Sequence, residues 1–168
     1  STTCQFSGNE GVILLNPLMQ VTSRMKFLIK GTDKIAHLSI MQAGVEIDGI
    51  QIDPTTGNNY TVGDNMLSKL GDKYNRIYVP AKSFITTSEG ILQGETGILP
   101  TDCRSTPVIV IMNVLVNDVP TQFTYSIVGK QFLPGYSYNY TVTLDIKDGI
   151  TVANWQESSW TADIDPDK

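Results

Sequence analysis

The side chains that could do chemistry are few in this chain, and their spacing speaks against most reactions. It has one histidine, His37. A Ser-His-Asp or Cys-His arrangement would have to be built on that imidazole. No Ser or Cys motif surrounds it, and its place inside an alternating run reads as structural or surface. Without further imidazoles, zinc would fall to cysteine and carboxylate, and Cys4 and Cys103 form no Cys-x-x-Cys or other ligand spacing. Glycoside hydrolysis needs two carboxyl groups facing one another. The candidates Glu46, Asp48, Glu89 and Glu95 fall at turns or on the solvated side of strand patterns. Asp163, Asp165 and Asp167 alternate and could offer oxygens to calcium, but the turning Gly and terminal Glu of a calcium loop are missing. No GxxxxGK[ST] loop and no strand–GxGxxG–helix unit is present. The expectation is a chain that is not an enzyme and takes no cofactor or metal.

Binding chemistry offers more. Trp155 and Trp160, with the tyrosines, could form a flat platform for stacking on sugars; the alternative is a plug for the end of a core. Cys4 and Cys103 are either two reduced core thiols or a single bridge from the N-terminal segment to the loop 101–104, the second being favoured in an exported protein. Asn59-Tyr60-Thr61 and Asn139-Tyr140-Thr141 fit the N-glycosylation pattern. The second lies inside a strand pattern and reads as coincidence.

The elements that must hold these residues are strands. Tyr136, Tyr138, Tyr140, Val142, Leu144 and Ile146 recur at every second position, interleaved with polar residues, which marks a half-buried strand. Leu133-Pro134-Gly135 turns into it, Lys147-Asp148-Gly149 turns out of it, and Ile150-Thr151-Val152-Ala153 begins the return arm of a hairpin. Pro107 to Val116 is the most apolar run and reads as a central strand, joined through Asn117-Asp118-Val119-Pro120 to an alternating strand over 121–127. Arg24 to Lys30 places Met25, Phe27 and Ile29 on one side and Arg24, Lys26 and Lys30 on the other. Further strands are expected over 12–15, 35–41, 45–52 (with a bulge at Gly49) and 76–80. Residues 53–59 form a loop, 65–70 a helical turn or two, and 83–86 and 90–97 an edge or loop. Residues 1–11 are a polar lead-in and 161–168 a polar tail.

Turn signals recur between these strands, and no stretch carries a convincing amphipathic helix. The expected fold is therefore all-β: an antiparallel β-sandwich of about seven to nine strands. At 168 residues the chain fits a single domain, 1–168. Seventeen acidic against twelve basic residues give a net charge of −5, which argues against nucleic acid as a partner. No apolar run approaches the roughly 18 residues of a membrane-spanning helix. No signal peptide is visible, and a start at Ser1 reads as a processed or trimmed product.

The order Leu133-Pro134-Gly135, Tyr136-x-Tyr138-x-Tyr140-x-Val142, Gly149-Ile150-x-Val152 and Trp155 resembles the C-terminal signature of fimbrillins, the type V pilus subunits of Bacteroidota-type outer membranes. The Ile98-Leu99-Pro100 turn before the apolar run 107–116 and the basic-apolar strand 24–30 are similar to that family too. The resemblance implies a transthyretin-like sandwich, export as a lipoprotein precursor trimmed after an Arg, and a place in a fimbria at the cell surface. It also implies partners: other subunits or the chain itself through sheet edges, and a host or bacterial surface ligand.

Overall fold

A computed structural model describes residues 22–52, 60–61, 66–67 and 73–162. Its strands are β1 (Ser23–Gly31), β2 (Leu38–Ile52), β3 (Tyr60–Thr61), β4 (Met66–Leu67), β5 (Lys73–Val79), β6 (Phe84–Thr86) and β7 (Leu92–Ile98), then β8 (Thr101–Asp102), β9 (Val108–Val116), β10 (Val119–Ile127), β11 (Gln131–Phe132), β12 (Tyr136–Lys147) and β13 (Ile150–Ala162). One 3₁₀ turn, Ala81–Ser83, links β5 to β6. Two sheets carry the fold, one in the order β13-β12-β1-β7-β6 and the other β10-β9-β2-β5. The expected β-sandwich is thus present.

The long hairpin forms as its pattern dictates. Tyr138, Tyr140, Val142 and Leu144 are fully buried between the sheets. Asp148 and Gly149 both take positive φ (51° and 79°), the conformation a two-residue turn needs to match the twist of its arms. Asn117 and Asp118 do the same (48° and 66°) between β9 and β10. Gly135 takes φ 76° at the entry to β12. There the Tyr138 hydroxyl accepts from Leu133 N (2.7 Å) and donates to Gln131 O (3.2 Å), pinning the loop. The apolar run becomes β9, an inner strand whose Val108, Val110, Met112, Val114 and Val116 are buried.

Several elements differ from expectation. β1 pairs with β12 in parallel (Met25↔Tyr138, Ile29↔Val142), although every other pair among the described strands is antiparallel. A parallel pair needs a long crossover, and here the whole second sheet supplies it without a helix. The two strands expected over 35–41 and 45–52 are one, β2, starting at Leu38. Its register shifts between Ile40 and Val45 and again between Ile47 and Ile50. The second shift is the bulge at Gly49 (φ 84°), and it turns Ile50 inward beside Val45 and Ile47. A bulge between Ser137 and Asn139 likewise buries Ser137 and leaves Tyr136 only half-buried. The region 90–97 is the inner strand β7 rather than an edge. In the stretch expected to be helical, Met66–Leu67 pairs with Tyr60–Thr61 instead. The strand expected over 12–15, the loop 53–59, Cys4, Asn59 and the aspartates of the tail lie outside the described residues.

Candidate functional site at the sheet edges

Among the described residues the two sheets have four edge strands, β13 and β6 in one and β10 and β5 in the other. Each edge leaves a row of backbone N–H and C=O groups without a neighbouring strand. β10 and β13 lie on the same side: the ring of Tyr125 in β10 stacks on that of Trp155 in β13, centroids 4.8 Å apart and planes 9° from parallel. On the other side the chain itself crosses between the sheets, from the end of β5 through Ala81–Ser83 into β6.

Along the β10/β13 side, among the described residues, the gap between the two edge strands is a seam filled by side chains. Trp155 sits opposite the buried Val142 and so points inward, but its edge position leaves it half-buried. Tyr125 also meets Tyr140 edge-on at 6.2 Å, and Tyr140 lies against Phe27 at 6.1 Å. Glu157 stands opposite Tyr140 in register, so it too points inward. Lys130, in the loop after β10, pairs with it through Nζ and Oε2, and the two side chains are only 17% and 22% exposed. The ammonium lies 5.8 Å from the centre of the Tyr140 ring, within reach of a cation–π contact. Tyr140 hydroxyl and Glu157 Oε1 are buried without a hydrogen-bond partner. Burial pushes the Tyr140 phenol far above its ordinary range, so it stays protonated.

This arrangement can receive an extended segment. Among the described residues β13, 13 residues long, pairs only with β12, and β10 pairs only with β9. An incoming strand would find a backbone ladder on either edge, and alternate side chains could displace the Tyr125–Trp155 contact. The inward carboxylate on β13 is a known device against such pairing. Its neutralisation by Lys130 was not readable from sequence, because the pair depends on how the sheets stack. The available signal was a glutamate on the apolar side of an alternating strand.

The other singled-out residues are dispersed. Cys103 is buried, its N–H donating to Lys130 O (2.8 Å) and its carbonyl accepting from Gly129 N (3.0 Å). Burial pushes its thiol up to about 11, which makes it a poor nucleophile. The side chain of Trp160 lies outside the described residues, although its backbone belongs to β13. Glu46 and Asp48 meet, but on one guanidinium: Arg76 donates to Glu46 (2.8 Å) and Asp48 (2.7 Å) on an open sheet face. The Arg76 hydrogen bond holds Asp48 below its ordinary value, the reverse of what a general acid needs. Glu95 faces Arg24 at 3.9 Å, and His37 and Glu89 line a cleft at one end of the sandwich. Among the described residues no three His, Cys, Asp or Glu side chains cluster as metal ligands, and no helix is long and apolar enough to cross a membrane.

Comparison with known proteins adds the following. A family model described as fimbrillin-like matches residues 1–164. A solved structure from Bacteroides fragilis, described as that of a candidate cell adhesion protein, matches with a TM-score of 0.75 and 36% identity, over 88% of this chain and 48% of its own. A second candidate cell adhesion protein, from Bacteroides ovatus, matches at 16% identity and TM-score 0.46, over 85% of this chain and 45% of its own. A fimbrial protein from Bacteroides vulgatus matches at 10% identity and TM-score 0.42, over 84% and 55%. The chain spans about half the length of these structures. No curated protein matches it.

Proposed function

This chain belongs to the fimbrillin-like family, and on that premise we propose that it is a non-enzymatic structural or adhesive subunit of a surface fimbria, joined to its neighbours by exchange of β-strands at the β10/β13 seam. The observation that carries the reading is the seam itself. Two long edge strands face the same side, and the Tyr125–Trp155 stack and the Lys130–Glu157 pair bridge the gap between them. Strand addition there satisfies two rows of backbone groups and inserts apolar side chains between the sheets. The reading places the protein at the cell surface after export. It agrees with the description of the Bacteroides fragilis relative as a candidate cell adhesion protein.

Sedimentation velocity over a range of concentrations tests it, on the full chain and on forms lacking 156–168 or 1–11. A synthetic peptide covering 150–162 is added to each. Strand exchange predicts concentration-dependent association that truncation alters and the peptide blocks. A monomer at every concentration, indifferent to truncation and to the peptide, would overturn it.

A further inference from the structure

The outer face of the five-stranded sheet carries a charge distribution opposite to that of the chain. The whole sequence has a net charge of −5. Down the centre of this face runs β1, with Arg24, Lys26 and Lys30 outward because Met25, Phe27 and Ile29 are buried. Glu95, opposite Lys26 in register, reaches Arg24 at 3.9 Å. Asp145, at the end of the face, is occupied by Thr32 (2.8 Å) and Lys34 (3.4 Å). Lys26 and Lys30 have no ion-pair or hydrogen-bond partner among the described residues. They lie on one side of one strand, about 13 Å apart along it.

On the β12 and β13 side of them the sheet is neutral and rich in hydrogen-bonding groups, while on the β7 side Glu95 stands opposite Lys26. Register sets Lys26 next to Asn139 and then Ser158, and Lys30 next to Thr143 and then Asn154. Each rung is therefore one cation followed by two amide or hydroxyl side chains. At the Lys30 end the face runs into a cleft of about 400 Å³, bounded by 30–38 on one side and by Thr86, Glu89 and Gly90 on the other. His37 lines it. The loop wall is held rigidly: Asn117 Oδ1 accepts from Ala36 N (2.8 Å) and His37 N (3.1 Å), its Nδ2 donates to Lys34 O (3.2 Å), and Lys34 Nζ donates to Ile146 O (2.7 Å).

We propose that this face binds an anionic glycan, laid along Lys26 and Lys30 with one end in the cleft beside His37. The two lysines supply charge complementarity on a chain whose net charge otherwise repels polyanions. The amide and hydroxyl rungs supply donors and acceptors for sugar hydroxyls. Close to the lysines the apolar area is small: Leu28 is the outward aliphatic side chain between them on β1, and the exposed Ile85 lies two strands away on β6. The contact is exposed and weakens as salt rises. The two lysines lie on β1, separated from the seam strand β13 by β12, so the sedimentation experiment and this one test different residues and fail independently.

The test is affinity electrophoresis through gels containing polygalacturonate, dextran sulfate or neutral dextran. The wild-type chain is compared with Lys26→Glu/Lys30→Glu and with Lys82→Glu, whose lysine lies on the turn between β5 and β6. Melting curves on all three confirm folding. The expected result is retardation by at least one polyanion and not by dextran, weakened roughly tenfold or more in the double variant and by less than about twofold in Lys82→Glu. Which polyanion retards the chain distinguishes carboxylate-bearing from sulfate-bearing glycan, and either supports the proposal. No retardation by either polyanion, equal retardation by dextran, or an equal loss in Lys82→Glu would overturn it.

Discussion

The two lateral sides of this sandwich solve the same problem differently. At the β5/β6 side the main chain crosses directly from one edge strand to the other through Ala81–Ser83, and each edge strand is packed tightly onto its own sheet: Gly44 in β2 lies so close to β5 that a Cβ there would sit 2.1 Å from Val79 O. The adjoining Phe84 ring rests on Gly94, where a Cβ would come within 2.4 Å of it. At the β10/β13 side the chain crosses at one end, from β10 through 128–135 into β12, one strand in from the edge, and along the seam a stack of two rings and one ion pair fills the gap. A side closed by chain opens only by unfolding. A side closed by side chains opens by rotamer changes. That difference is the reason strand exchange is proposed at the seam, and mutations can break or sharpen it.

The largest effect is expected beneath the seam. Tyr140→Ala removes a fully buried ring that contacts Phe27 and Tyr125. It should cost about 3–5 kcal/mol in urea unfolding. Tyr140→Phe removes only a hydroxyl that is buried without a partner. That variant should be as stable as wild type or slightly more so. A large loss in Tyr140→Phe would mean that the hydroxyl has a partner, and that the seam is more firmly closed than argued.

Next comes the chain-closed side. Gly44 has φ 69°, a conformation L side chains rarely adopt, in addition to its contact with Val79 O. Gly44→Ala should destabilise by about 2–3 kcal/mol, from strain plus forced separation of β2 and β5. It should leave the association state unchanged. Trp155→Ala should cost somewhat less, about 2 kcal/mol, because the indole is half-buried and part of its value is the stack on Tyr125. The informative readout is association: this variant should bind the 150–162 peptide faster or polymerise more readily in sedimentation. If Gly44→Ala promotes association and Trp155→Ala does not, the sides have been assigned the wrong way round.

How much of this the sequence disclosed depends on the range of the interaction. The hairpin of β12 and β13 was legible because alternation and an Asp-Gly turn are local and agree. The bulge at Gly49 was legible for the same reason, as was the turn at Asn117-Asp118. The parallel pairing of β1 with β12 was not, since no local pattern in Arg24–Lys30 says which distant strand it meets. Nor could alternation alone show that β2 is one strand, because two register shifts break its period. For the candidate site, Trp155 stood out as a residue, but its partner Tyr125 lies on the other sheet. The lysines of β1 were visible as one side of a strand. That amide and hydroxyl side chains flank them on the β12 side emerged only with the register.

The smallest effect bears on how firmly β5 is held. Arg76 ties β5 to β2 through Glu46 and Asp48, all on a solvated face where ion pairs contribute little. The Arg76 hydrogen bond lowers the Asp48 carboxyl from its ordinary 3.8. A carboxyl lowered on folding contributes stability that is fully present above its unfolded value and is lost as pH falls through its folded value. Amide exchange in β5 should therefore accelerate modestly below about pH 3.8, beyond any change in the neighbouring β9. In Arg76→Gln that extra acid dependence should vanish, with only a slight fall in stability at neutral pH. The substitution should also leave association untouched, since the crossing chain at Ala81–Ser83 and the Gly44 contact remain. If instead Arg76→Gln frees β5 enough to recruit the 150–162 peptide, the chain-closed side is held by charge rather than by its backbone, and the contrast between the two sides narrows to a difference of degree.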